Sequence, residues 1–347
     1  MKISGYEKEQ NNNITLKLDY NDLDKFDKVY ISKVFTDTYI PEDILTLSNI
    51  EYGGTGFFYD KAPPLPDYIE HHMPDYHLYD EWIQDKINHG CNRKEFKEYL
   101  DYSIGFLTRG CFRKCGFCVN KKYDHVFLNS PLEEFYDPTK KKICLLDDNF
   151  FGFKDWKEHL NKLQATGKPF KFKQGMDERI LNEEKCKMLF SSKYDGDFTF
   201  AFDNIKDADV IKGKLQLIRK HTDVIPKFYV LCGFDRKDKY DDMFWVQDII
   251  DTFERIKILS EYKSLPYIMR FNRYEDSPYK GMYITLARWC NQPSIFKKKS
   301  FREYCEMNQE YTQTKNGLCS SMRYLTDFEN RYPDIADKYF DLKFSDY

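Results

Sequence analysis

The chain has 347 residues, enough for one large domain with a smaller companion and for a substantial buried core. It is 41% hydrophobic and 17% aromatic, with no apolar run approaching the roughly 18 residues of a membrane span, so it reads as a soluble globular protein with no membrane partner. Its 54 basic and 57 acidic residues leave a net charge of −3, so the whole chain lacks the one-sided field of a strong nucleic-acid binder. The opening MKISGYEKEQNNN is polar and lacks the apolar core of a secretory signal, which makes a cytoplasmic address the expectation. Three of the ten cysteines crowd between Cys111 and Cys118, and in a reducing compartment such grouping points to metal binding or catalysis rather than disulfides.

In chain order, KVYISKVF from Lys28 reads as a buried strand and IEYGGTGFF from Ile50 as another ending in a glycine turn. Residues 1–80 are therefore expected to form a small, incomplete Rossmann-like α/β domain. The Pro-rich APPLPDYIEHHMPDYHLYDEW then reads as extended chain, with residues 81–102 as the linker. From Ser103 the pattern changes to short apolar runs alternating with longer amphipathic ones. The predicted strands are SIGFLTRG, KICLLDD, FKFKQGM, DFTFAFD, IPKFYVLCGF and LPYIMRFN. Between them lie the helical patterns DWKEHLNKLQ, NEEKCKMLF with Asn182 as N-cap, LQLIRK and MFWVQDIIDTFERIKIL. Repeated strand–helix units imply parallel strands with right-handed crossovers, so residues 103–272 are expected to form an open or partial (βα)6, TIM-like barrel. Residues 273–347 lack strand alternation and are expected to be a mainly helical cap.

The segment GFLTRGCFRKCGFCVNKK places Cys111, Cys115 and Cys118 in a Cys-x3-Cys-x2-Cys pattern directly after a predicted strand. Thiolates are the usual ligands of iron–sulfur clusters, and close spacing lets one loop wrap a cubane. Three ligands leave one iron open for chemistry, whereas a structural zinc site normally closes with four. Gly110 and Gly116 allow the loop to curl, and the carboxyl end of a barrel strand is where such active sites form. A zinc knob completed by a distant Cys or His, or three unrelated buried thiols, share the spacing.

The triplet, with the aromatic Phe117 just before its third cysteine, resembles the signature of the radical S-adenosylmethionine (SAM) superfamily over about Ser103 to Asn272. That resemblance implies a 4Fe-4S cluster held by Cys111, Cys115 and Cys118, with SAM chelating the fourth iron. It also implies reductive cleavage to a 5′-deoxyadenosyl radical and an external electron donor such as flavodoxin or ferredoxin. Asp147, Asp148 and Asn149 end the second strand where the family binds the SAM amino group through a Gly-Gly-Glu-like turn. This sequence departs from that turn, and an N-cap role competes for each of the three. Gln174, Asp177 and Arg179 match the region of ribose and carboxylate contacts, against a plain Asp177–Arg179 ion pair. Asp203 ends the fourth strand, and Cys232–Gly233 resembles the adenine-contacting turn, Cys232 itself fitting a small buried hydrophobe. Arg113, Lys114, Lys121 and Lys122 suit cluster charge, an anionic substrate, an electron donor or simply solvent. Cys290, Cys305 and Cys319 are candidates for an auxiliary cluster, although their spacing matches no compact binding loop.

The N-terminal region resembles that of radical SAM proteins carrying a cobalamin-binding-like domain, with MKISGYEKEQ as its first helix. By that resemblance the chain is expected to begin after the first strand of such a domain, and the given sequence lacks the Asp-x-His-x-x-Gly loop, with no histidine before His71. His71, His72 and His77 fall in the extended stretch, so no cobalamin is expected. The function expected is radical SAM chemistry on an unidentified substrate. The competing readings are an RNA-modifying or methylthiolating member and a non-catalytic iron–sulfur or zinc interaction protein. Nucleic acid is not indicated as a partner.

Overall fold

A computed structural model of the protein describes residues 1–312 and 317–347 and shows an α/β chain made of two compact units, residues 1–171 and 172–347. The division falls inside the segment read as a barrel. Among the described residues no sheet closes on itself, and no helix is long and apolar enough to cross a membrane.

In the first unit, the helix Lys2–Glu9 precedes β1 (Val29–Ser32) and β2 (Ile50–Gly53), which pair in parallel as a two-stranded sheet. β1 is half-buried rather than buried, because a ribbon of two strands has too little around it to cover both faces. The main sheet of this unit has the order β3 (Tyr102–Gly105), β6 (Lys142–Leu145), β7 (Phe170–Phe172), with β3 and β6 parallel. Ile143, Cys144 and Leu145 are buried in succession, as expected of a strand covered on both faces. The outer edge of β3 is met by Tyr76, whose hydroxyl accepts the Ile104 N–H at 2.8 Å and donates to the Phe135 carbonyl at 2.7 Å. The Pro-rich stretch and linker, expected to be extended, instead carry the helices Asp67–Glu70 and Asp80–Asn88 and the helical turns from Arg93 to Leu100, and the turn between the two helices supplies the Tyr76 side chain that closes a sheet edge.

The strand SIGFLTRG is broken in two. β3 ends at Gly105, and Thr108–Arg109 form β4, which pairs antiparallel with β5 (Phe127–Leu128). The break has a cause distant in the chain: the Leu107 and Thr108 N–H groups turn onto the Asp147 carboxylate instead of a neighbouring strand.

In the second unit, β8 (Thr199–Ala201), β9 (Lys227–Cys232) and β10 (Leu265–Arg270) form a parallel sheet in chain order. Met176 adds a single parallel bridge to Phe200. β9 alternates strictly, burying Phe228, Val230 and Cys232. The outer edge of β10 is sealed by Asn291, which accepts from Ile268 N–H at 2.7 Å and donates to its carbonyl at 3.1 Å. The intervening helices bury residues at helical spacing, such as Ile211, Leu215 and Ile218 on Ala208–His221. Asn182 caps Glu183–Phe190 by accepting the Lys185 N–H at 2.9 Å. Beyond β10 the described residues are helical, from Lys280–Cys290 to Pro333–Tyr339.

Candidate functional site

The β4–β5 ladder clamps the two ends of the loop that carries Cys111, Cys115 and Cys118, all half-buried thiols. Gly110 opens the loop at φ +88, and a Cβ there would lie 2.3 Å from the His125 carbonyl oxygen, so only glycine fits. On the far side the Lys114 ammonium donates to the carbonyls of Lys121 (3.0 Å) and Tyr123, drawing the loop across itself. Phe112 lies against Gly152, where a Cβ would meet its ring at 2.8 Å.

Three consecutive residues after β6 hold the loop from one side. The Asp147 carboxylate accepts the N–H groups of Leu107 (3.0 Å) and Thr108 (2.8 Å) and the Thr108 hydroxyl (2.6 Å). Asp148 accepts the Gly110 N–H at 2.8 Å. The Asn149 Nδ2 donates to the Cys111 sulfur at 3.3 Å. Burial pushes the Asp147 carboxyl up to about 7, with its three donors working the other way. Burial also raises the Cys118 thiol, helped by the nearby Cys111 and Asp148 charges.

Backbone N–H groups of Arg113 and Asn120 point at the sulfurs of Cys111 and Cys118, each at 3.3 Å. Among the described residues no group of three or more His, Cys, Asp or Glu side chains stands together to hold a metal ion, so the cysteines share a loop without closing a ligand set. The donor chemistry itself fits an iron–sulfur cluster: three thiols on one clamped loop, two of them facing N–H donors that favour thiolate sulfur. Phe117 sits half-buried beside Cys118 in the chain.

The other candidates lie in the second unit, and most of their polar groups are engaged there. Arg179 donates to Asp177 at 2.7 Å and to Asp207 at 3.0 Å, the loop ion pair that its spacing allowed. Gln174 is exposed. Asp203 accepts the Leu231 N–H at 3.2 Å; burial raises its carboxyl, opposed by the Arg255 charge. Gly233, at φ +76, donates its N–H to Asp248 at 2.7 Å. Cys232 is fully buried.

Sequence reasoning missed the network behind these strand ends. Arg255, 2% exposed, donates to the carbonyls of Phe202 (3.1 Å), Asp203 (2.9 Å) and Leu231 (2.8 Å). Asp248 accepts from the Tyr283 hydroxyl at 2.8 Å, and burial raises the carboxyl of the one and the phenol of the other. The spacing of Asp248, Thr252 and Arg255 on one face of Asp242–Glu261 was the available signal, polar residues on the side a helix normally buries. Glu178 was also missed. Its Oε2 accepts the Ala201 N–H at 3.2 Å, while Oε1 stands 4.0 Å from Arg179 Nε with no hydrogen-bond partner among the described residues. Burial, then the Asp177 charge, pushes its carboxyl up to about 8. Its flanking charges disguised it as one more exposed loop acid.

Cys290, Cys305 and Cys319 are all buried in the second unit. The three histidines of the Pro-rich stretch face carboxylates, His71 to Glu134 (2.7 Å), His72 to Glu9 (3.0 Å) and His77 to Asp80 (2.7 Å). No protein-family model matches the chain, and no curated protein matches it in sequence.

Proposed function

We infer that this chain is a radical SAM enzyme, with Cys111, Cys115 and Cys118 as the ligands of a 4Fe-4S cluster. The observation that carries the reading is the cysteine loop itself, clamped by β4 and β5 and held by Asp147, Asp148 and Asn149 from the end of the next strand. When bound, the cluster supplies the electron for reductive cleavage of SAM. The chain's own residues do the holding: Asp147 fixes the base of the loop, Asp148 fixes Gly110, and Lys114 draws the loop shut.

The finer fold reading is a partial (βα)6 barrel. It is supported by strands that follow chain order in each main sheet, and by outer edges sealed by the side chains of Tyr76 and Asn291. Phe117, Asp147, Asp148, Asn149, Gln174, Asp177, Arg179, Asp203 and Gly233 remain the proposed SAM contacts. Asp147, Arg179 and Asp203 reach that role through groups already engaged, so they hold backbone and charge in place more than they offer open valences. Lys121 and Lys122, exposed on the loop, suit an acidic electron donor of the flavodoxin or ferredoxin class in the cytoplasm. The N-terminal region is proposed to bind no cobalamin, since His71, His72 and His77 each face a carboxylate.

The test is anaerobic reconstitution with iron and sulfide. The wild type should take up about four irons per chain, and a triple Cys111→Ala, Cys115→Ala, Cys118→Ala variant should lose them. Full iron in that variant would show that other residues are the ligands, and zinc in place of iron would favour a non-catalytic interaction protein.

A further inference from the structure

The geometry points to Asn149 as a positioning residue for Cys111, acting through a hydrogen bond from its side-chain amide to the cysteine sulfur; this rests on the cluster reading above. Asn149 is 4% exposed, and its Nδ2 lies 3.3 Å from the Cys111 sulfur. The Arg113 N–H reaches the same sulfur at 3.3 Å, so Cys111 receives donors from two sides, one from its own loop and one from the end of β6. The buried pair Phe150–Phe151 follows Asn149 immediately and anchors its backbone.

The other end of the amide makes the case for a role beyond packing. Among the described residues Asn149 Oδ1 is buried without a hydrogen-bond partner, an arrangement that native interiors retain only for a reason. A leucine of similar size would fill the space with no stranded oxygen, so the position keeps an amide for the N–H it sends to sulfur. An uncharged donor to a ligand sulfur stabilises the more electron-rich, reduced cluster more than the oxidised one, and so raises its reduction potential. Asn149 also completes a register, in which residues 147, 148 and 149 hold residues 107–108, 110 and 111 in turn.

The experiment compares Asn149→Leu and Asn149→Ala with the wild type as reconstituted full chains, by redox titration followed by electron paramagnetic resonance. Both variants should fold by circular dichroism and show a more negative midpoint potential with an altered spectrum of the reduced cluster. Loss of the cluster from a folded variant supports the same role. Wild-type potential and spectrum in both variants would overturn it. In metal-free protein, the Asn149 side-chain amide resonances should shift on Cys111→Ala and stay put on Cys115→Ala. The absence of that shift also overturns the assignment, and this arm stands even if a variant at Asn149 fails to fold. If the wild type takes up no iron, the cluster reading falls and takes this role with it, an outcome distinct from loaded variants with unchanged potential.

Discussion

Replacing Asp147 by Ala removes the single acceptor for three donors at the base of the cysteine loop. Leu107 and Thr108 are 1% and 0% exposed, so water cannot take over their N–H groups without local opening. The Thr108 hydroxyl can rotate to another acceptor, but the two N–H groups are fixed by the bend between β3 and β4. A stranded buried donor costs roughly 1–3 kcal/mol, which gives about 2–6 kcal/mol before any offset. Part is recovered because the variant no longer buries a carboxyl whose pKa burial has pushed up to about 7. The net expectation is about 2–4 kcal/mol, with Asp147→Asn losing roughly half as much, since one amide face can still accept. Because the chain forms two compact units, amide hydrogen exchange is a sharper assay than a global unfolding curve. Exchange should accelerate at Leu107, Thr108 and Gly110, and remain slow at Ile143 in β6. Unchanged exchange at Leu107 and Thr108, with stability within about 0.5 kcal/mol of wild type, would refute the claim that this carboxylate holds the loop.

Other consequences can be measured independently. Glu178 has its folded pKa raised to about 8, so the folded state keeps a proton that the unfolded chain has lost by pH 5–6. The stability linked to it is fully present below the unfolded carboxyl range and is lost as pH rises toward 8. Glu178→Gln should therefore exceed wild-type stability at pH 8 and match it near pH 4.5; denaturant titrations at the two pH values check the sign. Arg255→Met strands three carbonyls and leaves the buried Asp203 and Asp248 without their cation, so a loss of about 3–5 kcal/mol is expected by thermal unfolding. Gly110→Ala forces a side chain into a positive-φ position against the His125 carbonyl, and should cost more than about 2 kcal/mol and lower iron uptake, read by metal analysis.

The strands were legible where local and tertiary signals agree. The apolar alternation of IPKFYVLCGF and the parallel register of β9 describe the same strand, and Asn182 caps the helix that its position announced. The cysteine triplet stands out in the sequence because its spacing is local, and its ligand role remains a proposal. The break after Gly105 was not, because it depends on Asp147, some forty residues along the chain, capturing two N–H groups. Nor could periodicity reveal the sealing of sheet edges by Tyr76 and Asn291, which takes side chains from outside the strands. Asp147, Asp148 and Asn149 read from the sequence as candidate SAM contacts, and that reading remains a proposal. Their observed partners are the backbone and sulfur of the cysteine loop, a pairing that a strand-end pattern does not encode.

The most direct test of the central claim is the fate of SAM. Reconstituted wild-type protein, reduced with dithionite under anaerobic conditions and given SAM without any other substrate, should release 5′-deoxyadenosine, and the triple cysteine variant should release none. A wild-type chain fully loaded with iron that leaves SAM intact would contradict the account and return the cysteine loop to a structural or partner-binding role.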